Sequence, residues 1–470
     1  MFRKARRLHF VGVGGSGMSG IAEVLLNLRY RVSGSDLVSS TATRRLKRLG
    51  AEIHRGHRAE QVHGADAVVV SSAVVADNPE VVEARRLKIP LIPRAEMLAE
   101  LMRMKVGVAV AGAHGKTTTT AMVAEVLTRG KLDPTVVIGG RVGKLRSGAK
   151  LGHGEILIAE ADESDGSFLR MNPTIAVVTN IDREHLDHYG EMQSLCAAFR
   201  RFVCRVPFYG AAIVCIDEPH ARSIVADFDR KLITYGLDPG ADVHAREIAV
   251  EGLCSSFVAH GREGELGPVR IHAPGRHMVA NALAAIAVGL ELDVPFRTIA
   301  AALAAFRGVD RRTQLRGEVR GARLIDDYGH HPTEIEATLA AVRDGFGGRI
   351  LVVFQPHRYS RSRALLDEFG RAFALAELVF VTDIYAAGEP RIPGLDGAAV
   401  ADSLRRHGHP AVVYEPRLEQ VVPRLLPQIR PGDVVLTLGA GDVWKVGEAL
   451  LRAAARGGGG VSGERRRRSA

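Results

Sequence analysis

Cysteine is scarce and unorganised in this sequence. Its four copies, Cys196, Cys204, Cys215 and Cys254, form no CxxC pair and no metal-ligand spacing. That excludes a zinc ribbon or a disulfide framework and fits reduced thiols in a cytosolic protein. No apolar run approaches the roughly 18 residues a membrane span needs, so no membrane insertion is expected. The head could imitate an export signal, because Arg6 and Arg7 precede LHFVGV, but glycines and then Glu23 interrupt the apolar stretch. A cytoplasmic location is the expectation. The formal charge of +10 is uneven, with much of it in the head FRKARR and the tail ERRRR. The body is near neutral to mildly basic, which argues against a nucleic-acid face and leaves anionic phosphates open as ligands.

What is present is ordinary globular composition, 46 % hydrophobic and 25 % charged, over 470 residues. That length predicts roughly three domains. Short β-branched runs alternate with helical periodicity. LHFVGV (8–13), YRVSGSD (30–36) and ADAVVVSSAV (65–74) read as buried parallel strands, with helices at 17–28 and 43–50 between them. A second unit starts at VGVAVAG (106–112) and continues through EILIAEAD, TIAVVTN and AAIVCID. A third starts around FRGVDRRTQ (306–314), with strands at ARLIDDY, RILVVFQ, LVFVTDI and DVVLTLGAGD. The pattern predicts doubly wound α/β sheets with ligand loops at the carboxyl ends of their strands. GGGG at 457–460 and the following VSGERRRRSA read as a flexible basic tail.

Gly12-Val-Gly14-Gly-Ser-Gly17 matches GxGxxG between a strand and a helix, with Asp36 some way beyond. Such glycines let backbone N–H groups approach a pyrophosphate at a helix N-terminus. The physics serves any diphosphate, a nucleotide-sugar as well as a dinucleotide, and a purely structural turn remains open.

A second loop, Gly112-Ala-His-Gly115-Lys116-Thr117, resembles a phosphate-binding P-loop one residue short, with Val110 where the strict pattern has glycine. Strand, glycine turn and helix are the context a phosphate cradle requires. Lys116 would lie along the β- and γ-phosphates, and the Thr117 hydroxyl would bind Mg²⁺. Four consecutive threonines suit a helix start better than an exposed turn. The strand EILIAE then runs into Asp162, Glu163 and Asp165, with Glu160 the best candidate for a metal-binding acid. His185, after TIAVVTN, could be a second ligand or a capping residue.

Together with SSAV, NPE, IPRAEML, GAHGKTTTT, EADESDGSF, TNIDREHLD, PGRHMVAN, FRGVDRR, DDYGHHPTE, FQPHRYSR, DIYAAGE and GAGD, these residues resemble the Mur ligase family of peptidoglycan synthesis. The likeness runs in order from Leu8 to about Trp444. The family's own loop carries the three-residue lead seen here, so Val110 fits it. The resemblance implies three domains: a Rossmann-like UDP-sugar domain (1–104), a central P-loop ATPase-like domain (105–309), and a Rossmann-like amino-acid and ATP domain (310–456). A tail follows at 457–470.

It also implies residue roles. Gly12, Gly14, Gly15, Ser16, Gly17, Asp36, Ser71 and Ser72 would serve the UDP-sugar. Gly112, His114, Gly115, Lys116, Thr117 and Thr118 would hold ATP, with Thr117, Glu160 and His185 at magnesium. Two ions are expected, with Mn²⁺ as a possible substitute. His277 and Asn281 would lie near the adenine, and Arg312 and Asp327 on the nucleotide. Tyr328, His330, His357, Arg358 and Arg361 would meet the amino acid, and His330 could help remove the amine proton. The alanine-adding branch is favoured, since QPHRYSR suits a single amino acid and no candidate for a carbamylated lysine is evident. The activity implied is ATP-driven joining of L-alanine to UDP-N-acetylmuramate, by a monomer or weak homodimer. Departures are Ala113 for a usual threonine, Met278 for asparagine, Glu184 for aspartate and Thr313 for phenylalanine. Three rivals remain: a tripeptide-recycling ligase on the same UDP-sugar, an NAD-linked oxidoreductase, and a non-catalytic nucleotide-binding regulator.

Overall fold

A computed structural model describes residues 6–71, 73–138 and 149–457. Ser72, the Ser16 side chain and the tail from 458 onward lie outside the described residues. Three mostly parallel sheets flanked by helices make a three-domain α/β architecture, as the alternation of apolar runs and helical periodicity implies.

The first sheet has the order β3-β2-β1-β4-β5. Its strands are β1 (Arg7–Val11), β2 (Arg31–Asp36), β3 (Glu52–Arg55), β4 (Ala67–Val70) and β5 (Leu91–Pro93). The order reverses between β1 and β4, which opens a crevice at their carboxyl ends, where Gly12 and Ser71 lie. The second sheet has ten strands. They are β6 (Val106–Ala111), β7 (Thr135–Val137), β8 (Ala149–Lys150), β9 (Ile156–Glu160), β10 (Ile175–Val178), β11 (Ala211–Cys215), β12 (Leu232–Gly236), β13 (Val243–Glu251), β14 (Cys254–Gly261) and β15 (Gly264–Ile271). Its order is β15-β14-β13-β12-β11-β10-β6-β9-β7-β8, so the P-loop strand β6 sits between β10 and β9. The third has the order β16-β17-β21-β18-β19-β20, from β16 (Gln314–Val319), β17 (Ala322–Asp327), β18 (Ile350–Phe354), β19 (Leu378–Val381), β20 (Val412–Tyr414) and β21 (Val434–Leu438).

Differences from the sequence reading have simple causes. The expected strand 65–74 is ordered as a strand only over Ala67–Val70, because the polar Ser71 begins the loop that follows. β16 pairs antiparallel with β17, through a turn at Gly321. The strands β13 to β15 were not among those expected from the sequence, and β14 buries every second residue at Ser255, Phe257 and Ala259.

Contacts divide the chain into two compact units. The first runs to Ile248 with Ser256–Ile271 and Met278–Val309; the second holds Ala249–Ser255, His272–His277 and the chain from Asp310. The first two sheets share one unit and one hydrophobic core, in which Ile21, Met97 and Leu101 cluster with Ala111, Phe168 and Phe199. Phe168 anchors the acidic loop 162–167 to this core: its ring lies 5.2 Å from both Phe199 and Phe202 and is fully buried. Phe168→Ala is expected to cost about 3–5 kcal/mol of first-unit stability, from lost burial plus a cavity. Urea unfolding followed by circular dichroism measures it, and a change below about 1 kcal/mol would remove Phe168 as the anchor.

Candidate active site

In the first sheet, the strand–turn–helix of GVGGSG is built as the glycines require. Gly12 has φ +77°, and the helix Ser16–Asn27 starts directly after Gly15. Three successive loop N–H groups are held by the end of β2. Gly12 and Val13 donate to the Ser35 carbonyl at 2.9 and 3.0 Å, and Gly14 donates to the Asp36 carboxylate at 2.8 Å. Asp36 is therefore a brace of the loop as well as a candidate for the sugar nucleotide. A Cβ on Gly14 would come within 2.7 Å of that carboxylate. Ser71 stands beside Gly12, with its hydroxyl accepting from Ala73 N–H. Arg94 packs its guanidinium against Gly17 and reaches within 3.8 Å of Asp162, a contact that sequence reasoning missed.

The second loop follows β6. Gly112 takes φ +137° and Gly115 φ +80°. A Cβ on Gly112 would stand 2.0 Å from the Thr179 hydroxyl, and one on Gly115 2.5 Å from Asn281 Oδ1. Glycine is thus demanded twice, by conformation and by space. The carboxyl end of β10 props the loop: Thr179 Oγ1 and Asn180 Nδ2 donate to the His114 carbonyl, and Asn180 Oδ1 accepts from His114 N–H. His114 Nε2 pairs with Asp182 at 2.8 Å. Thr179, Asn180 and Asp182 were not singled out from sequence, although they fill the TNID stretch.

Lys116 opens the helix Lys116–Arg129 with its ammonium turned into the loop, donating to the Gly112 and Ala113 carbonyls and to Glu163 Oε1 at 2.7 Å. Burial opposes its charge, but Glu163, helped by Glu160 and Asp162, outweighs burial and raises its pKa. Glu163 is almost fully buried, and burial pushes its carboxyl up to about 7 against the pull of Lys116. The lysine keeps its proton throughout the physiological range. The Thr117 hydroxyl donates to Glu160 at 3.0 Å, because the β6–β9 register sets Glu160 opposite Val110. A hydroxyl and a carboxylate side by side are hard oxygen donors, so the pair fits magnesium. His185, at φ +58°, brings Nε2 to 3.8 Å from Glu163 Oε1 and 3.5 Å from Glu184. Thr118 is buried, and Thr119 donates to Asn281. The sequence-predicted residues Gly112, His114, Gly115, Lys116, Thr117, Thr118, Glu160, His185 and Asn281 are therefore gathered around one turn.

The second unit gathers the others. Strands β17, β21 and β18 end level, with Asp327, Leu438 and Phe354 in register. Asp327 is buried and accepts from Thr313 N–H and Gly329 N–H; burial raises its pKa although Arg312 opposes this. Arg312 meets Glu334 at 3.3 Å and lies 5.3 Å over the Tyr328 ring. His330 stands edge-on to both Tyr328 and His357, donates its Nδ1–H to the Tyr328 carbonyl, and its backbone N–H donates to Glu334. His357 stacks on Tyr385 and meets Arg361 at 3.3 Å. Burial, with the charges of His330, Arg361 and Arg358, drives its pKa down to about 3. Arg358 begins the next helix at φ +68° with its side chain exposed. His277 is held neutral, its pKa lowered to about 4 by burial and by Arg312. Glu334, Arg311 and Tyr385 complete this cluster and were not singled out, although they lie inside DDYGHHPTE, FRGVDRR and DIYAAGE, stretches that carry the family resemblance.

Comparison with known proteins matches residues 7–106 to "Mur ligase family, catalytic domain", 110–289 to "Mur ligase middle domain" and 311–441 to "Mur ligase, glutamate ligase domain". UDP-N-acetylmuramate–L-alanine ligase of Desulfatibacillum aliphaticivorans is 54 % identical over 96 % of this chain and 99 % of its own. The enzyme of the same name from Myxococcus xanthus is 55 % identical over 96 % and 95 %. The crystal structure of UDP-N-acetylmuramate-alanine ligase from Thermotoga maritima superposes with a TM-score of 0.79 at 28 % identity, covering 96 % of this chain and 99 % of that one. A murein peptide ligase from Psychrobacter arcticus shares the fold, with a TM-score of 0.67 at 22 % identity over 97 % and 100 %. With three family regions in register along the three sheets, the chain belongs to the Mur ligase family.

Proposed function

We propose that this chain joins L-alanine to the carboxylate of UDP-N-acetylmuramate at the expense of ATP, through an acyl phosphate, in peptidoglycan precursor synthesis. The observation that carries the reading is the loop at 112–117, with a protonated lysine turned into it and a hydroxyl–carboxylate pair beside it, in a chain more than half identical to alanine ligases along nearly its whole length. Segments 1–104, 105–309 and 310–456 would act as the UDP-sugar, ATP and amino-acid domains. A location in the cytoplasm belongs to the same reading, with its substrates; no described helix is long and apolar enough to cross a membrane. A monomer or weak homodimer suffices for the reaction.

A carboxylate resists an amine because its charge is delocalised and oxide is a poor leaving group. Transfer of the γ-phosphoryl group makes a mixed anhydride and ADP; the alanine nitrogen then attacks the carbonyl carbon, inorganic phosphate leaves, and the nitrogen loses its proton. Lys116 lies along the transferring phosphates and Arg312 offsets charge on them. Thr117 and Glu160 would hold magnesium, with His185 at a second ion, and the metal would supply neutralisation of phosphoryl charge there; Mn²⁺ could replace it. Asn281 and neutral His277 face the adenine, and Asp327 the ribose. The planar guanidinium of Arg358 or Arg361 suits the alanine carboxylate. His330, fixed by Glu334 and the Tyr328 carbonyl, stands ready to take the amine proton. On the first sheet, the braced Gly12–Gly17 loop, with Ser71 and Ser72, receives the diphosphate at the start of the helix Ser16–Asn27. A tripeptide substrate in place of alanine, an NAD reaction and a silent regulator are the readings the assay below separates.

Phosphate release from ATP and Mg²⁺ is expected only when UDP-N-acetylmuramate and a small L-amino acid are both supplied, with alanine best. Release with the tripeptide instead, a change in nicotinamide absorbance, or no release with both substrates would overturn the reading. Lys116→Ala is expected to lower kcat by at least about a hundredfold, while titration calorimetry finds UDP-sugar affinity within about twofold of the parent. His277 supplies the pH dependence. Its folded pKa lies below the unfolded value of 6.5, so the stability it contributes is complete above 6.5 and is lost as pH falls toward about 4. Second-unit stability should fall over that window, and His277→Gln should flatten the decline; an unchanged slope by thermal denaturation would show that His277 is not its source.

A further inference from the structure

The deepest charge in the first sheet has no part in the mechanism above. Glu80, in the first turn of the helix Pro79–Arg86, is fully buried. Its Oε2 accepts from the Ser35 hydroxyl at 2.6 Å and meets His57 Nδ1 at 2.8 Å; its Oε1 meets His9 Nε2 at 3.1 Å. His9 is itself fully buried and reaches Ser33 through Nδ1. The Gln61 amide, turned to satisfy its neighbours, donates to Oε1 as well. Asn78 fixes the Glu80 backbone by accepting from its N–H.

A buried carboxylate is a poor choice for stability alone, since burial of charge costs more than apolar packing of the same volume. This one grips Ser35. The Ser35 carbonyl in turn receives the N–H groups of Gly12 and Val13, the first two of the glycine loop, and the adjoining Asp36 receives that of Gly14. Two sets of hydrogen bonds, joined through the covalent frame of Ser35, link the Glu80 carboxylate to the loop backbone.

We propose that Glu80 is a positioning residue for the UDP-sugar: acting through Ser35, it sets the Gly12–Gly14 backbone in the geometry that receives the diphosphate. The inference rests on the ligase reading. Burial works to raise the Glu80 pKa, but hydrogen bonds from His9, Ser35 and His57 with the charge of His9 outweigh it and keep the group ionised. The anion accepts from every neighbour at once, whereas a neutral amide would have to turn its N–H₂ toward one of them and leave Ser35 or an imidazole misdirected. The loop would then relax by the few tenths of an ångström over which backbone hydrogen bonds to phosphate weaken.

Steady-state kinetics test this with Glu80→Gln, Ser35→Ala and the double variant. Each single change is expected to raise KM for UDP-N-acetylmuramate about tenfold, and its calorimetric Kd in parallel, with kcat and KM for ATP within about twofold. Because both residues act on one path, the double variant should be no worse than the poorer single one, where independent effects would multiply. A general loss of packing would instead lower kcat and affect both substrates. If Glu80→Gln does not fold, His57→Gln, at the partly exposed rim of the network, serves in its place and should raise the same KM by a few-fold. An unchanged KM for the UDP-sugar, equal effects on both substrates, or multiplying effects in the double variant would overturn the proposal. Absence of turnover in the parent enzyme would instead overturn the ligase reading.

Discussion

A glycine turn has no side chains to hold its own shape, yet a phosphate-binding turn must be fixed to a few tenths of an ångström. Everything else at the site follows from how that constraint is met. In the first sheet, the end of β2 supplies the brace: the Ser35 carbonyl and the Asp36 carboxylate receive three successive N–H groups. In the second, the chain just after β10 does the same task with Thr179 and Asn180 on both sides of the His114 peptide. The third sheet repeats the device at GAGD, where Gln355 Oε1 accepts from Asp442 and Val443 N–H and Arg311 donates to the Gly439 and Gly441 carbonyls. Parallel strands make this economical, because register brings the carboxyl ends of neighbours level and so places a brace next to each turn.

Charge is then set on rigid ground. Burial in the turn works against the Lys116 charge; Glu163, with Glu160 and Asp162, outweighs it, and Glu163 is in turn held by Tyr189, whose hydroxyl donates to its carbonyl at 2.6 Å. The Phe168 anchor holds the same segment from below. A flexible acidic loop would pair with the lysine as well in electrostatic terms, but it would not return the ammonium to the same point. The acids of EADESD thus divide their work: Glu160 faces Thr117, Glu163 faces Lys116, and Asp165 accepts from Ser167 N–H at the loop's far side.

The parts of this legible in sequence were those in which chemistry and local pattern coincide. Gly12, Gly112, Lys116, Thr117 and Glu160 lie at strand ends, where an apolar run stops at a residue type with one obvious use. The braces were not legible, since their use depends on which strand becomes whose neighbour. Thr179 and Asn180 read as an ordinary polar end to TIAVVTN until β10 is placed beside β6. Glu80 stood in the sequence only as the acid of NPE; the pairing of β1 with β2 and β4 is what buries it against His9 and Ser35. Asp36 shows both sides, visible as an acid at the right distance from a glycine fingerprint, with its bond to Gly14 invisible.

Arg94 shows why the first two sheets form one unit. Its guanidinium rests against Gly17, at the start of a helix, where the macrodipole disfavours a cation. Asp162, 3.8 Å away on the loop after β9, offsets that cost, and Arg94 is one of the groups that hold its carboxyl below the usual range. The arginine opens the helix Arg94–Met102, whose Met97, Leu98, Leu101 and Met102 lie in the shared core. One short helix thus links the first glycine loop to the acidic loop after β9 at its beginning and closes the hydrophobic layer between the two sheets along its length. A rotation of either sheet that opened this core would separate Arg94 from Asp162 as well, so the spacing of the two loops is fixed by packing rather than by the weak, partly exposed ion pair itself.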